Sequence, residues 1–191
     1  MNILILNASP RPKGNISLML DVIKEEAERQ GAVVNMERVQ KLSVRPCIAC
    51  MRCRSSQKCA LPEDDAQRIL KFIEGCDVLI IGSPCYWGNV PGTLKLLFDR
   101  MVYGMMGEQP SGLPIPLHRG KKAVIVTTCS TPWPFNILAN QTAGVVKALK
   151  EILGWSGFRI VAKLQKGGTL KHPEFTDKDR QKCIKIVKKL K

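Results

Sequence analysis

The stretch "NILILNASPRPKGNIS", Asn2 to Ser17, decides the fold. Ile3-Leu4-Ile5-Leu6 is an unbroken apolar run, not a polar–apolar alternation. Such a run predicts a strand covered on both faces. It ends in Asn-Ala-Ser-Pro, and then the period changes. Ile16, Met19, Leu20, Ile23 and Ala27 recur at helical spacing as far as Gln30, and Gly31 follows as a stop. A buried strand leading through a short polar loop into an amphipathic helix is the first half of a βαβ unit.

Working outward, the pattern repeats. Strands are predicted at "AVVNMERV" (32–39), "DVLIIGSP" (77–84), "KKAVIVTTC" (121–129) and "FRIVAKLQ" (158–165). Helices are predicted over 62–75, with Pro62 near the start and three acids in the first turn, and over 91–103, 139–154 and 176–190. Residues 104–120 read as a long loop with three prolines and four glycines. Apolar strands alternating with helices predict an α/β fold: a doubly wound, five-stranded parallel sheet in three α/β/α layers. There is no internal repeat or low-complexity linker. The expected organisation is one domain over 1–191, with a compact cysteine loop at 46–60.

The formal charge is +14, and ten basic against three acidic residues from Lys163 to Lys191 supply half of it. The tail holds one aromatic, Phe175, and no recognition motif, so it reads as a solvated helix face and not as a nucleic-acid patch. No apolar run reaches the ~18 residues of a membrane span. The N-terminus lacks the basic flank of a secretory signal, so a cytoplasmic protein is expected. Eight cysteines in such a chain favour metal or redox use, or burial, over a disulfide framework.

In doubly wound folds ligands sit beyond the carboxyl ends of the strands. After the first strand, Ser9, Arg11, Gly14, Asn15 and Ser17 precede a helix start, an arrangement suited to an anion. The loop is neither GxGxxG nor a nucleoside-triphosphate loop. Its plain alternative is a helix cap with Asn15 as N-cap. After the third strand, "SPCYWGNVPG" (83–92) puts Tyr86 and Trp87 at a loop tip, where aromatic faces could meet a planar ring or pack in the core or at a dimer contact. After the fourth comes "CSTPWPFN" (129–136). Together the loops describe a pocket for a ligand with a phosphate at one end and a flat ring at the other.

Cys47, Cys50, Cys53 and Cys59 have the spacing C-x2-C-x2-C-x5-C. Zinc ligands come as two short pairs a dozen or more residues apart, whereas this spacing resembles ferredoxin-type ligation and favours [4Fe-4S]. Arg45, Arg52, Arg54 and Lys58 would offset a cluster's charge. The alternative is a clusterless loop kept for packing. Cys76, Cys129 and Cys183 read as isolated small apolar residues, and His118 and His172 as surface or loop histidines.

Ser9-Pro10-Arg11 with Asn15 and Ser17, the loop Pro84-x-Tyr86-x-Gly88-Asn89-x-Pro91, and "LLFDR" at 96–100 resemble the NADPH-dependent FMN reductases. The cysteine motif resembles the family's iron–sulfur flavoprotein branch. The resemblance spans roughly residues 2 to 165. It implies a flavodoxin-like fold with strand order 2-1-3-4-5 and bound FMN. Ser9, Arg11, Asn15, Ile16 and Ser17 would take the phosphate. Pro84, Cys85, Tyr86, Trp87, Gly88 and Asn89 would line the isoalloxazine and ribityl chain, with Thr128, Ser130 and Thr131 closing the other side. Cys85 stands where relatives often carry an aliphatic residue. The implied activity is an oxidoreductase taking hydride from NAD(P)H and passing electrons to a small-molecule or protein acceptor through a [4Fe-4S] cluster held by Cys47, Cys50, Cys53 and Cys59. The alternatives are a clusterless NAD(P)H:FMN/quinone reductase, and a non-catalytic basic binding protein on the same fold. A homodimer or homotetramer is implied, with no membrane partner.

Overall fold

The computed structural model describes residues 1–190; Lys191, the last basic residue of the tail, lies outside them. In chain order the elements are β1 (Asn2–Asn7), α1 (Asn15–Arg29), β2 (Val33–Arg38), α2 (Arg52–Ser56), α3 (Asp65–Gly75), β3 (Val78–Pro84) and α4 (Gly92–Met105). There follow β4 (Met106–Glu108), β5 (Pro114–Pro116), β6 (Lys122–Thr128), α5 (Phe135–Leu138), α6 (Thr142–Ser156), β7 (Arg159–Lys166) and α7 (Asp177–Val187). The main sheet is parallel, in the order β2-β1-β3-β6-β7. Counting only its five strands, that is the expected 2-1-3-4-5, and the fold is flavodoxin-like.

The continuous apolar runs are buried on both sides, as a covered parallel sheet requires. Leu4, Leu6, Leu79, Ile81 and Ile125 pack under α3, α4 and α6, while Ile3, Ile5, Ile80, Val124 and Val126 pack under α1 and α7. Burying each such side chain stabilises the fold by roughly 1.5–3 kcal/mol. On α7, Cys183, Ile186 and Val187 face the core, and Lys182 and Lys185, with Lys188 and Lys189 just past the helix end, face solvent. The basic residues of α7 and its C-terminal cap are thus a solvated face, whereas Lys166 of the same tail is largely buried and paired. Among the described residues no helix is long and apolar enough to cross a membrane.

Three local expectations need correction. The 62–75 helix begins at Asp65 because Asp64 acts as its N-cap: its carboxylate accepts the Ala66 N–H at 2.9 Å, and Gln67 reciprocates on the Asp64 N–H. The loop 104–120 contains the antiparallel ribbon β4–β5, in which Ile115 pairs with Gly107 between two prolines. Prolines are tolerated there because the ribbon stands apart from the main sheet. His118 lies in a loop, as one of the two expected placements had it, but it is not on the surface. It is 2% exposed, its Nε2 lies 2.9 Å from the Gly104 carbonyl, and its ring stacks on Phe158. Burial lowers its pKa below the usual value. His172 is exposed, as expected.

Candidate functional site

The carboxyl ends of β1, β3 and β6 open onto a cavity of ≈ 820 Å³, within the range of small-molecule sites. It lies in the middle of the sheet, where the strand order reverses.

The loop after β1 is curled by its own polar groups. Asn7 is 1% exposed; its Nδ2 donates to Ser17 Oγ at 3.0 Å and its Oδ1 accepts the Ser9 N–H at 3.0 Å. Ser17 Oγ in turn donates to the Arg11 carbonyl at 2.9 Å, and Ser9 Oγ accepts the Arg11 N–H at 3.2 Å. The curl carries the chain to Gly14, the N-cap of α1, which has no side-chain cap bond. Asn15 is therefore not the N-cap but the first helical residue. The uncapped start of a fifteen-residue helix borders the cavity, with Arg11 and Lys13 beside it. Free N–H groups, a helix dipole and two cations make this end complementary to an anion.

The opposite wall is the loop after β3. Tyr86 and Asn89 exchange backbone hydrogen bonds of 2.9 and 3.0 Å around Trp87 and Gly88, whose φ values are 53° and 68°. Positive φ at both central residues is the type I′ turn. Glycine is required at 88, because a Cβ there would meet the Asn140 carbonyl at 2.9 Å. Gly144 of α6 allows the same approach from the other side: its Cβ would stand 1.9 Å from the Gly88 carbonyl. The turn is thus seated on the start of α6, with Tyr86 half-exposed and Trp87 wholly so.

Of the residues expected at the site, Ser9, Arg11, Asn15, Ile16, Pro84, Cys85, Tyr86, Thr128 and Ser130 line this cavity. Ser17, Trp87, Gly88, Asn89 and Thr131 do not; Ser17 braces the loop from behind, and Gly88 and Asn89 shape the turn. Sequence reasoning missed Asn7, Cys129, Thr169 and Pro173. Cys129 follows β6 as Cys85 follows β3, and both thiols line the cavity. That equivalence was the available signal. Burial raises the pKa of each. Cys76 and Cys183 are buried, as expected of small apolar residues, and burial pushes both to about 11.

All four cysteines of the motif border a second cavity of ≈ 140 Å³, with Arg100, Tyr103 and Glu108. Ala49, Met51 and Gln57 have φ between 51° and 59°, so the chain reverses around α2. Burial, and then the neighbouring thiols Cys59, Cys47 and Cys50, raise the Cys53 pKa. The Arg100 side chain is fully enclosed. Its guanidinium contacts Cys59 Sγ, pairs with Asp64 at 3.0 Å, and leaves Nε without a partner among the described residues. Burial pushes the Asp64 pKa up. Hydrogen bonds from the Arg45 and Ala66 N–H groups and from Arg100 outweigh it, holding the carboxyl below its usual range. No three of the thiols stand as a ready coordination group among the described residues.

Residues 1–166 match the family model described as NADPH-dependent FMN reductase. An iron–sulfur flavoprotein of Methanocaldococcus jannaschii is 34% identical over 100 residues, covering 52% of this chain and 51% of that protein. The chain thus spans about half the length of the first curated relatives it matches. An iron–sulfur flavoprotein of Clostridioides difficile is 29% identical over 99% of this chain and 77% of its own. The crystal structure of an FMN-dependent NADH-azoreductase from Bacillus anthracis, in complex with FMN, superposes with a TM-score of 0.73 at 14% identity, over 97% of this chain and 95% of that one. At that identity the likeness is one of fold.

Proposed function

Because this chain belongs to the NADPH-dependent FMN reductase family, we propose that it is a flavodoxin-like FMN-binding oxidoreductase over residues 1–191, using NAD(P)H as hydride donor. The observation that carries this reading is one cavity with an uncapped helix start, Arg11 and Lys13 at one end and Tyr86 at the other. A phosphate on a chain ending in a flat ring matches both ends. Bound there, FMN would accept hydride and release electrons singly or in pairs.

The chain's own residues supply binding and orientation. Arg11, with Ser9 and the N–H groups of Asn15 and Ile16, would hold the phosphate. Pro84, Cys85 and Tyr86 would border the ring, with Thr128 and Ser130 opposite. The roles first expected of Ser17, Gly88 and Asn89 become bracing and shaping, and Trp87 would border the substrate face from outside. No acid–base side chain is required.

The cysteine loop fits a [4Fe-4S] cluster by its donor set. Cys47, Cys50, Cys53 and Cys59 all border one cavity, with the buried Arg100 cation against Cys59 to offset a cluster's charge. A cluster held there would supply one-electron transfer between the flavin and a small-molecule or protein acceptor. The second reading, a clusterless NAD(P)H:quinone reductase, is favoured by the thiols' failure to converge as ligands among the described residues. Exposed Trp87 and Trp133 on the loops after β3 and β6, with exposed Phe135 and Leu138 of α5, support a homodimer or homotetramer. A non-catalytic binding protein would need none of this cavity.

Anaerobic purification tests the proposal. About one FMN with four irons and four sulfides per chain is expected. Flavin without iron leaves the clusterless reductase. Colourless protein that takes up no FMN refutes both readings.

A further inference from the structure

Residues past 166 lie outside the family match, yet Thr169 and Pro173 form part of the larger cavity's wall. Thr169 is held by the Cys129 carbonyl, which accepts its N–H at 3.1 Å and its hydroxyl at 3.0 Å; the Pro173 end is tied down through Lys166, the last residue of β7. Its side chain is 13% exposed. Its Nζ donates to Asn15 Oδ1 at 2.9 Å, the Glu174 carbonyl at 2.6 Å and Asp179 Oδ2 at 2.7 Å. An ammonium has three protons, so its donor capacity is filled. Asp179 also accepts from the Thr176 N–H at 3.1 Å and hydroxyl at 2.9 Å, closing the capping box of α7. On its other side, Asn15 Nδ2 donates to the Pro173 carbonyl at 2.8 Å.

We propose that Lys166 is a positioning residue for the cofactor's phosphate, acting by fixing the orientation of the Asn15 amide. An ammonium can only donate, so it selects the carboxamide oxygen. Nδ2 must then face the other way. One of its protons goes to Pro173; the second remains for an anion at the cavity end that Asn15 lines. The flipped amide would set Nδ2 against the ammonium and turn an oxygen lone pair toward the phosphate. Both changes are unfavourable, so the cation enforces a donor where the ligand is negative. The chain beyond the family match is the anchor for this device. The inference rests on the strand-one loop being the phosphate site.

The test titrates apo-protein with FMN and with riboflavin, which lacks the phosphate. Lys166→Met should lower FMN affinity about tenfold, the scale of one charge-assisted hydrogen bond, while riboflavin affinity stays within about twofold. Lys166→Arg should restore most of the difference. Because Lys166→Met strands the Asp179 carboxylate, Lys166→Met/Asp179→Leu serves as a second variant with no buried charge and should show the same selective loss. In an Asn15→Ala background, Lys166→Met should cost no further FMN affinity. Equal losses for the two ligands, an undiminished FMN preference in the double variant, or failure of both variants to fold would assign Lys166 to the fold alone and overturn the proposal. Wild type that binds FMN and riboflavin equally would instead sink the phosphate reading itself.

Discussion

Ser17→Ala separates two roles for one hydroxyl. Ser17 is 2% exposed and its Oγ bridges Asn7 Nδ2 and the Arg11 carbonyl. The carbonyl would keep the Gly14 N–H at 3.2 Å and Ser9 Oγ at 3.3 Å. Asn7 Nδ2 would keep no partner among the described residues, and Asn7 is 1% exposed. One buried donor is therefore orphaned, at a cost of about 1–3 kcal/mol. For a chain of this length about 2 kcal/mol lowers the melting midpoint by roughly 4–8 °C. The loss should appear in the apo-protein, because the hydroxyl lies outside the cavity wall. Differential scanning calorimetry without flavin, beside an FMN titration, checks it. An apo-protein that melts like wild type while FMN affinity falls tenfold would show Ser17 to be a direct phosphate ligand and refute the bracing argument.

Arg11→Ala should weaken FMN about tenfold, the lower end of the range for a charge-assisted contact, because Arg11 is exposed and partly screened. Riboflavin binding should be unmoved; equal losses in isothermal titration would contradict the assignment. Trp87→Ala should change NAD(P)H turnover with little change in stability, since the side chain is fully exposed; a destabilisation of a core truncation's size, about 3–5 kcal/mol, would contradict that placement. Burial lowers the His118 pKa below the unfolded value of about 6.5. As pH falls below that value the unfolded chain takes up a proton that the native chain refuses. Stability should therefore decline as pH drops from about 6.5 toward the folded pKa. His118→Gln, which keeps a donor near the Gly104 carbonyl, should flatten that limb in urea titrations; an unchanged slope rules His118 out as its cause.

The features legible in the sequence are those a short stretch determines alone. Ile3 to Leu6 and Val78 to Ile81 are strands buried on both faces because any other placement exposes a continuous apolar run. The order of strands and helices then leaves few topologies, and the loops beyond the strand ends fall where ligands bind. The four-cysteine spacing is likewise local. Tertiary structure decided whatever depends on partners distant in the chain. Asn15 looks like a cap until Lys166 and Pro173, 151 and 158 positions away, engage both ends of its amide. Arg100 reads as one helix residue of several until the fold closes Cys59 and Asp64 over it. His118 gives no sign of burial until Phe158 meets its ring. A local pattern records which face of an element is apolar; it does not record which polar group arrives from the far end of the chain to satisfy a buried donor, because that pairing exists only once the core has brought the two together.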